Sequence, residues 1–164
     1  MNTTLITASA LAARLDDPGV VIVDCRHDLT HLAAGRDSYA AGHIRNAVFA
    51  DMESALSGAK RGADGQFRGR HPLPERADLI DTLRDWGVND ATQVVAYDAH
   101  GGMFAARLWW LLRWLGPPSA AVLVGGRNGP HQRRALGDGA ASPRRRLRRQ
   151  RQCLRLPRGQ GAVG

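Results

Sequence analysis

Cysteine is scarce in this sequence, and long apolar runs are absent. The two cysteines among 164 residues are Cys25 and Cys153, which match neither a metal-binding spacing nor a disulfide framework. No segment approaches the roughly 18 consecutive apolar residues of a membrane-spanning helix, and the N-terminal MNTTLITASALAARLDD lacks the basic start of a signal peptide. These absences argue against a disulfide-rich secreted scaffold, a cysteine-based metal protein and a membrane protein. We expect a cytoplasmic protein without a metal or other cofactor.

Aromatic residues and charges are unevenly distributed. All nine aromatic residues precede Leu115, so only the first part of the chain can build a large apolar core. Residues 1–126 hold 12 Lys or Arg against 14 Asp or Glu, whereas residues 127–164 hold 11 Arg and a single acid, Asp138. We predict a domain over 1–126 and a disordered Arg-, Gly- and Pro-rich tail over 127–164, because such a tail buries too little apolar surface to offset the entropy of ordering.

A strand, a loop and a helix follow one another in the centre of the sequence. Residues 94–97 (VVAY) have the length and apolar character of a buried strand. Leucines recur at helical spacing over residues 108–115, and Gly116 ends the pattern. The loop between strand and helix opens with Asp98 and leads into a helix N-terminus, where unpaired N–H groups can hold an anion.

The same alternation of strand and helix runs through the first 126 residues. Besides the central strand, apolar runs predict strands at 20–23, 47–49 and 121–124. Helical patterns or start signals are found after Thr7 or Ser9, at Ser38, and from Pro74 to a stop at Gly87. Short buried strands between helices predict an α/β fold with a parallel sheet that is covered by helices on both faces.

Six motifs, in one order, resemble a known family. They are DCR after the first predicted strand, then AGHIRNAVFADME, RHPLP, VVAYD, AARLWWLLRWLG and VLVGG. Together they resemble the N-terminal half of a tandem-domain rhodanese, the family of thiosulfate and 3-mercaptopyruvate sulfurtransferases, over residues 11–126. The resemblance implies a rhodanese fold. It also implies transfer of a sulfane sulfur, through a cysteine persulfide, to a thiophilic acceptor such as cyanide or a thiol.

Asp98 stands where the resemblance places the nucleophile. In the active half of such an enzyme a cysteine begins this loop, and loop N–H groups and the helix terminus stabilise its thiolate. N-terminal halves typically carry Asp here and are not catalytic, so we predict no catalytic residue in this chain. Acceptance of loop N–H groups is favoured for Asp98 over cation binding. For Cys25 a small buried side chain is favoured over a sulfur carrier, and Arg26 and His43 are expected to be structural.

The resemblance also indicates substrate-binding residues in the irregular segment 51–74. His71, in RHPLP, matches a histidine that 3-mercaptopyruvate sulfurtransferases carry in the cleft between their domains. Glu53 matches a nearby carboxylate, which can fix the tautomer of that histidine. Arg70 can meet a substrate carboxylate or thiosulfonate oxygen. A mobile, solvated loop is the competing interpretation.

The family pattern predicts a different continuation after VLVGG. A Trp-containing helix, a linker and a second domain that carries the nucleophile would follow, whereas this sequence continues into the Arg-rich tail. We therefore expect the last helix of the domain and the second rhodanese domain, its natural partner, to be missing. Codons for Arg, Gly, Ala and Pro are rich in G and C, so a frameshift near codon 126 is our hypothesis, and resequencing the locus tests it.

Three functions fit these observations. The first is half of a sulfurtransferase for a small sulfur-donor substrate, inactive alone. The second is a non-catalytic rhodanese module that binds a protein partner or an anion. The third is nucleic-acid binding by the tail, which would be non-specific because the tail has no aromatic residue to stack on bases. We expect the first, with no specific nucleic-acid binding and no membrane association.

Overall fold

The computed structural model of the chain describes residues 1–116, 118–125, 136, 138 and 139. These residues form seven strands and four helices. In chain order they are β1 (Leu5–Ile6), α1 (Ala8–Ala12), β2 (Val20–Asp24), α2 (Ala34–Ala41), β3 (His43–Ile44), β4 (Val48–Phe49), α3 (Arg76–Trp86), β5 (Gln93–Tyr97), α4 (Ala105–Leu115), β6 (Ser119–Leu123) and β7 (Asp138–Gly139).

Five of these strands form one parallel sheet in the order β1–β6–β5–β2–β4. The central strand β5 pairs with β2 over five residue pairs, from Val20↔Gln93 to Asp24↔Tyr97, and with β6 on its other side. Parallel neighbours need long crossover connections, which explains why helices alternate with strands along the chain. The carboxyl ends of β2, β4 and β5 consequently lie together at one edge of the sheet.

The sheet separates two apolar clusters, because successive side chains of a strand point to opposite faces. The cluster on the side of α3 and α4 includes Val21, Val23, Val94 and Ala96 from the central strands. The cluster on the side of α1 includes Ile22, Val95 and Tyr97. Four leucines of α4, at 108, 111, 112 and 115, are buried in the first cluster, and each contributes about 1.5–3 kcal/mol of burial free energy.

The predicted parallel sheet with flanking helices is confirmed, and several predicted boundaries are confirmed with it. Thr7 is the N-cap of α1, where its hydroxyl accepts a hydrogen bond from Ala10 N at 3.2 Å. Gly87 ends α3 in the left-handed region with φ 86°, a conformation that favours glycine. Residues 51–74 contain neither helix nor strand beyond a single bridge between Arg61 and Phe67.

The predicted start of the second helix at Ser38 is wrong. Helix α2 begins four residues earlier, at Ala34. Gly35 is buried there, and a Cβ atom on it would lie 2.1 Å from the carbonyl oxygen of Arg26. The first turn of α2 thus packs directly on the chain after β2, and only glycine permits that approach.

One buried residue and one strand that the structure describes lie within the predicted tail. Leu136 is 1% exposed and belongs to the cluster on the side of α1. Strand β7 pairs antiparallel with β3, with His43 opposite Gly139 and Ile44 opposite Asp138. The other residues of the tail, Cys153 among them, lie outside the described residues. The tail's disorder, the missing last helix and the boundary at Gly126 therefore stay predictions. Among the described residues, no helix has the length and apolar character needed to cross a bilayer.

Candidate functional site

The candidate site lies at the carboxyl edge of the parallel sheet, which is where ligands bind in open α/β sheets. His27 follows β2, Glu53 follows β4 and Asp98 follows β5, each within a few residues of the strand end. Phe104, at the start of α4, joins these segments because its ring packs edge-on against His27 at 5.2 Å and against His100 at 5.4 Å between centroids.

Asp98 fills the loop between β5 and α4 with its own carboxylate. Its Oδ1 accepts hydrogen bonds from His100 N at 2.8 Å and Gly102 N at 2.9 Å. Its Oδ2 accepts from Phe104 N at 2.8 Å and Ala105 N at 2.9 Å. Asp98 is 0% exposed, so the N–H groups that could hold an external anion are occupied from within. The predicted role of Asp98 as an acceptor for the loop is confirmed.

A cluster of two imidazoles and one carboxylate lies beside this loop. His71 Nε2 is 2.7 Å from Glu53 Oε1, which confirms the predicted pairing of these residues. His27 Nε2 is 3.8 Å from the same oxygen, too far for a hydrogen bond. Lys60 Nζ lies 2.5 Å from the other oxygen, Glu53 Oε2. The His27 ring also packs edge-on against the His71 ring at 5.7 Å.

The cluster combines a charged carboxylate with a neutral imidazole. Hydrogen bonds from Lys60 and His71 lower the pKa of Glu53 to about 2, so its carboxylate is charged at neutral pH. Burial lowers the pKa of His27, and the nearby Glu53 charge only partly opposes this effect. His27 is therefore neutral at pH 7, and its buried Nε2 has no hydrogen-bond partner among the described residues.

Arg107 of α4 holds the irregular segment 51–74 in place. Its Nε donates to Leu56 O at 2.9 Å, and its Nη2 donates to His71 O at 3.1 Å and Pro72 O at 2.9 Å. These three bonds connect both ends of the segment to one helix, so Glu53 and His71 are brought to the same place. Both side chains are thus attached to the fold in this structure, and the choice between a substrate-binding site and a mobile, solvated loop stays a prediction.

Arg70, the third predicted substrate-binding residue, lies at the rim of the cluster. It is exposed, and its Nη2 donates to Leu29 O. Its role toward a substrate stays a prediction. Sequence reasoning did not single out His27, Lys60 or Arg107. The one available signal was position, because His27 directly follows the DCR motif at the end of a predicted strand.

Cys25 and Arg26 have the structural roles predicted for them. Cys25 is 0% exposed, and burial raises the pKa of its thiol well above the usual value. Arg26 pairs with Asp24 at 2.6 Å and donates to Gly42 O at 2.8 Å. Tyr97 donates its hydroxyl to the same carboxylate at 2.6 Å. This buried network fixes the end of β2 next to the end of β5.

His43 anchors the turn at Gly42, as predicted. The side chain of His43 is buried, and its Nδ1 lies 2.9 Å from Tyr39 O at the end of α2. Its ring stacks on Tyr39 with 4.0 Å between centroids. These contacts join the last turn of α2 to β3.

Comparison with known proteins shows that this chain is similar to rhodanese-like domains and to sulfurtransferases. The family model described as the rhodanese-like domain matches residues 7–131. A probable 3-mercaptopyruvate sulfurtransferase from Pseudomonas aeruginosa is 45% identical over 122 residues, which are 74% of this chain and 42% of that protein. The 3-mercaptopyruvate sulfurtransferase of Escherichia coli is 35% identical over 134 residues, 77% of this chain and 43% of that protein. The chain thus spans about two fifths of the length of these curated relatives.

Solved structures give the same result. The 3-mercaptopyruvate sulfurtransferase from Leishmania major has a TM-score of 0.73 and 32% identity, and the match covers 86% of this chain and 37% of that one. The structure of SseA from Escherichia coli, a 3-mercaptopyruvate sulfotransferase with the rhodanese fold, has a TM-score of 0.67 and 32% identity. This match covers 87% of the present chain and 52% of SseA. From its matched residues, its sheet and its relatives, this chain belongs to the rhodanese-like domain family.

Proposed function

We propose that this chain is the non-nucleophilic half of a sulfurtransferase that acts on 3-mercaptopyruvate or thiosulfate. The observation that carries the proposal is the carboxylate of Asp98, which occupies the ring of four N–H groups where a thiolate would have to lie. A carboxylate cannot take up sulfane sulfur as a persulfide. The names of the relatives support the substrate class, and the shares of their length that the chain covers leave room for a second domain.

The described thiol does not replace the missing nucleophile. Cys25 is fully buried, and burial raises the pKa of its thiol, so the reactive thiolate is disfavoured there. A second rhodanese domain would supply the thiolate. That thiolate attacks the outer sulfur of thiosulfate and releases sulfite, or takes the sulfur of 3-mercaptopyruvate and releases pyruvate after protonation of the carbon. The resulting persulfide then passes its sulfur to a thiophilic acceptor.

This chain would contribute groups that bind and orient the donor. The Glu53 carboxylate holds the His71 ring at 2.7 Å, so that the ring presents a fixed face to a bound donor and can exchange a proton with it. Arg70 and Lys60 add cationic groups at the exposed rim, suited to the carboxylate or sulfonate oxygens of either donor. A cytoplasmic location and the absence of specific nucleic-acid binding are parts of the same proposal.

A second candidate is a non-catalytic rhodanese module that binds an anion or a protein partner. It is favoured by the concentration of basic side chains at the rim of a site whose nucleophile position holds Asp98. Binding without turnover, with or without a second domain, is what distinguishes this candidate from the first.

Assays of sulfur transfer test the proposal. The purified chain is assayed with thiosulfate and with 3-mercaptopyruvate, alone and mixed with a separately produced rhodanese domain whose loop contains the cysteine. We expect negligible turnover alone and turnover in the mixture that exceeds that of the cysteine domain by itself. His71→Asn should lower the gain in the mixture at least about tenfold, whereas His100→Asn, a nearby exposed histidine, should not. Rapid turnover by the chain alone that Cys25→Ser abolishes would overturn the proposal.

A further inference from the structure

Three side chains beside the Asp98 loop form a donor set that the proposed function does not require as a whole. His27, Glu53 and His71 each offer one ligand atom, and these atoms lie within 4.8 Å of one another. The proposed function uses the pair of Glu53 and His71 but gives no role to His27. Yet His27 is 6% exposed, and in the part of the chain that the structure describes its Nε2 has no hydrogen-bond partner although it faces the carboxylate.

A buried polar nitrogen without a partner is costly, so its position needs a cause. Around His27 the ring faces are constrained by Phe104 at 5.2 Å and by His71 at 5.7 Å between centroids, both nearly perpendicular. These contacts fix the direction of Nε2, which lies 3.8 Å from Glu53 Oε1. A ligand placed between the three atoms would satisfy the imidazole nitrogen that the described residues leave without a partner.

We propose that His27, Glu53 and His71 bind one divalent transition-metal cation, with Zn²⁺ as the expected ion. Two imidazoles and one carboxylate are ligands that zinc accepts in sites with an open fourth position. The hard cations Ca²⁺ and Mg²⁺ prefer oxygen ligands alone. The proposal does not depend on the sulfurtransferase proposal, because its tests measure metal binding and not turnover.

The distances fit a metal after small movements. Zinc lies about 2.0–2.2 Å from nitrogen and oxygen ligands, which places tetrahedral ligand atoms about 3.3 Å apart. His71 Nε2 and Glu53 Oε1 are 2.7 Å apart and would separate slightly, whereas His27 Nε2 and Glu53 Oε1, at 3.8 Å, would approach. His71 would bind through Nε2 once its ring proton lies on Nδ1. Each of these two nitrogen–oxygen adjustments is roughly half an ångström. The ligand nitrogens of the two imidazoles lie within 4.8 Å of each other and would approach as well.

Contacts outside the donor set position two of the three ligands, Glu53 and His71, and such outer contacts are common around metal sites. Asp51 Oδ1 accepts a hydrogen bond from Glu53 N at 2.9 Å, and Arg107 fixes the backbone of His71 through its carbonyl at 3.1 Å. Lys60 pairs with Oε2 and leaves Oε1 toward the imidazoles. The Lys60 side chain is 49% exposed, so it can turn into solvent when a cation neutralises the carboxylate.

Metal titration of the full chain tests the site. Protein stripped with a chelator is titrated with Zn²⁺ by calorimetry, and bound metal is counted after dialysis. We expect saturable binding at this site, with His27→Ala weakening it at least about a hundredfold and His100→Ala leaving it unchanged. Circular dichroism of each variant establishes that it is folded. His71→Gln should weaken binding similarly, and it serves as the second variant if His27→Ala does not fold.

Two further readings make the test decisive. Co²⁺ bound to the wild-type chain should give visible d–d bands of a four- or five-coordinate ion, and His27→Ala should lose them. Saturating Zn²⁺ should raise the melting temperature of the wild-type chain and of His100→Ala but not of His27→Ala, because a ligand that binds only the folded state stabilises it. Absence of saturable zinc binding, or binding of equal strength to folded His27→Ala, would overturn the proposal.

Discussion

The carboxylate of Asp98 stabilises the loop between β5 and α4 by taking part in four hydrogen bonds at once. Both of its oxygens are used, and each accepts from two backbone N–H groups. Two of these donors, Phe104 N and Ala105 N, belong to the start of α4, where N–H groups have no partner within the helix. Asp98 thus caps the start of α4 and also accepts the hydrogen bonds of the loop N–H groups.

Replacing one of these oxygens with a donor should destabilise the fold. In Asp98→Asn the amide NH₂ must face backbone N–H groups that now lack an acceptor, so we expect a loss of about 2 kcal/mol in the free energy of unfolding. Urea denaturation measures it. Asp28→Asn is the matched control, because the three hydrogen bonds of Asp28 all end on the single oxygen Oδ1, which asparagine retains. A loss as large in the control as in Asp98→Asn would contradict the assignment.

Glu53 should make the stability of the protein depend on acid pH. Its pKa is about 2 in the folded chain, below the ordinary value of 4.5, because Lys60 and His71 donate hydrogen bonds to it. A lowered folded-state pKa contributes stability that is complete above about pH 4.5 and is lost as the pH falls toward 2. The free energy of unfolding of the wild type should therefore approach that of Glu53→Gln across this window. A difference between the two proteins that stays constant from pH 5 to about pH 2 would refute this account.

One side chain of helix α4, Arg107, holds the irregular segment 51–74 by hydrogen bonds. Arg107 reaches the carbonyls of Leu56, His71 and Pro72, and Gly58 lies so close to this end that a Cβ atom on it would be 2.5 Å from Leu73 O. The segment is therefore closed on itself and attached to the helix at the same point.

Removal of the Arg107 donors should loosen the segment without unfolding the sheet. Arg107→Met keeps the aliphatic length but removes the side-chain donor from all three carbonyls, of which Pro72 O still accepts a hydrogen bond from Gly58 N at 3.1 Å. We expect about 2 kcal/mol of destabilisation. Amide hydrogen exchange should become faster over residues 52–73 and remain unchanged in β2 and β5. Arg113→Met, on the same helix but exposed and packed over Trp109, is the control. Unchanged exchange in Arg107→Met would show that the segment is held by other contacts.

Elements with a strong local pattern were predictable, and elements set by distant partners were not. The leucine spacing predicts α4 and the apolar run predicts β5, each from neighbouring residues alone. Strands β1 and β3 have two residues each and form only because β6 and β7 lie beside them, so no period reveals them. Within the site, the resemblance paired His71 with Glu53. It could not indicate His27, which comes from a different strand end, or Arg107, which acts on carbonyls that carry no sequence signal.

Helix α4 presents two of its three tryptophans at the surface of the protein. Three tryptophans on one helix cannot all face the core, and the structure places Trp109 against it while Trp110 and Trp114 are 46% and 37% exposed. Their rings stack with 6.1 Å between centroids, and Arg76 lies over Trp114 at 5.7 Å. Packing against the core therefore leaves two of the three tryptophan rings of α4 at the surface.

The molecule as a whole is divided by charge, with a nearly balanced domain and a cationic C-terminal segment. We expect weak, sequence-independent binding of DNA through that segment, with an affinity that falls steeply with salt. Replacement of six of its arginines by glutamine, at positions 144, 145, 146, 148, 149 and 151, should abolish the binding and leave the melting temperature unchanged. Fluorescence anisotropy at several salt concentrations measures it. Tight binding that persists in high salt or prefers one sequence would contradict the expectation.

The burial of Leu136 against the α1 side of the sheet matters to anyone who wishes to shorten this protein. A truncation placed by composition alone, directly after Gly126, would take away a buried side chain of the cluster that includes Ile44, together with the partner of β3. An apolar surface and an open strand edge would then face solvent, and both promote association between molecules. A shortened version that retains the chain as far as Gly139 keeps that side closed while discarding eight of the eleven arginines of residues 127–164.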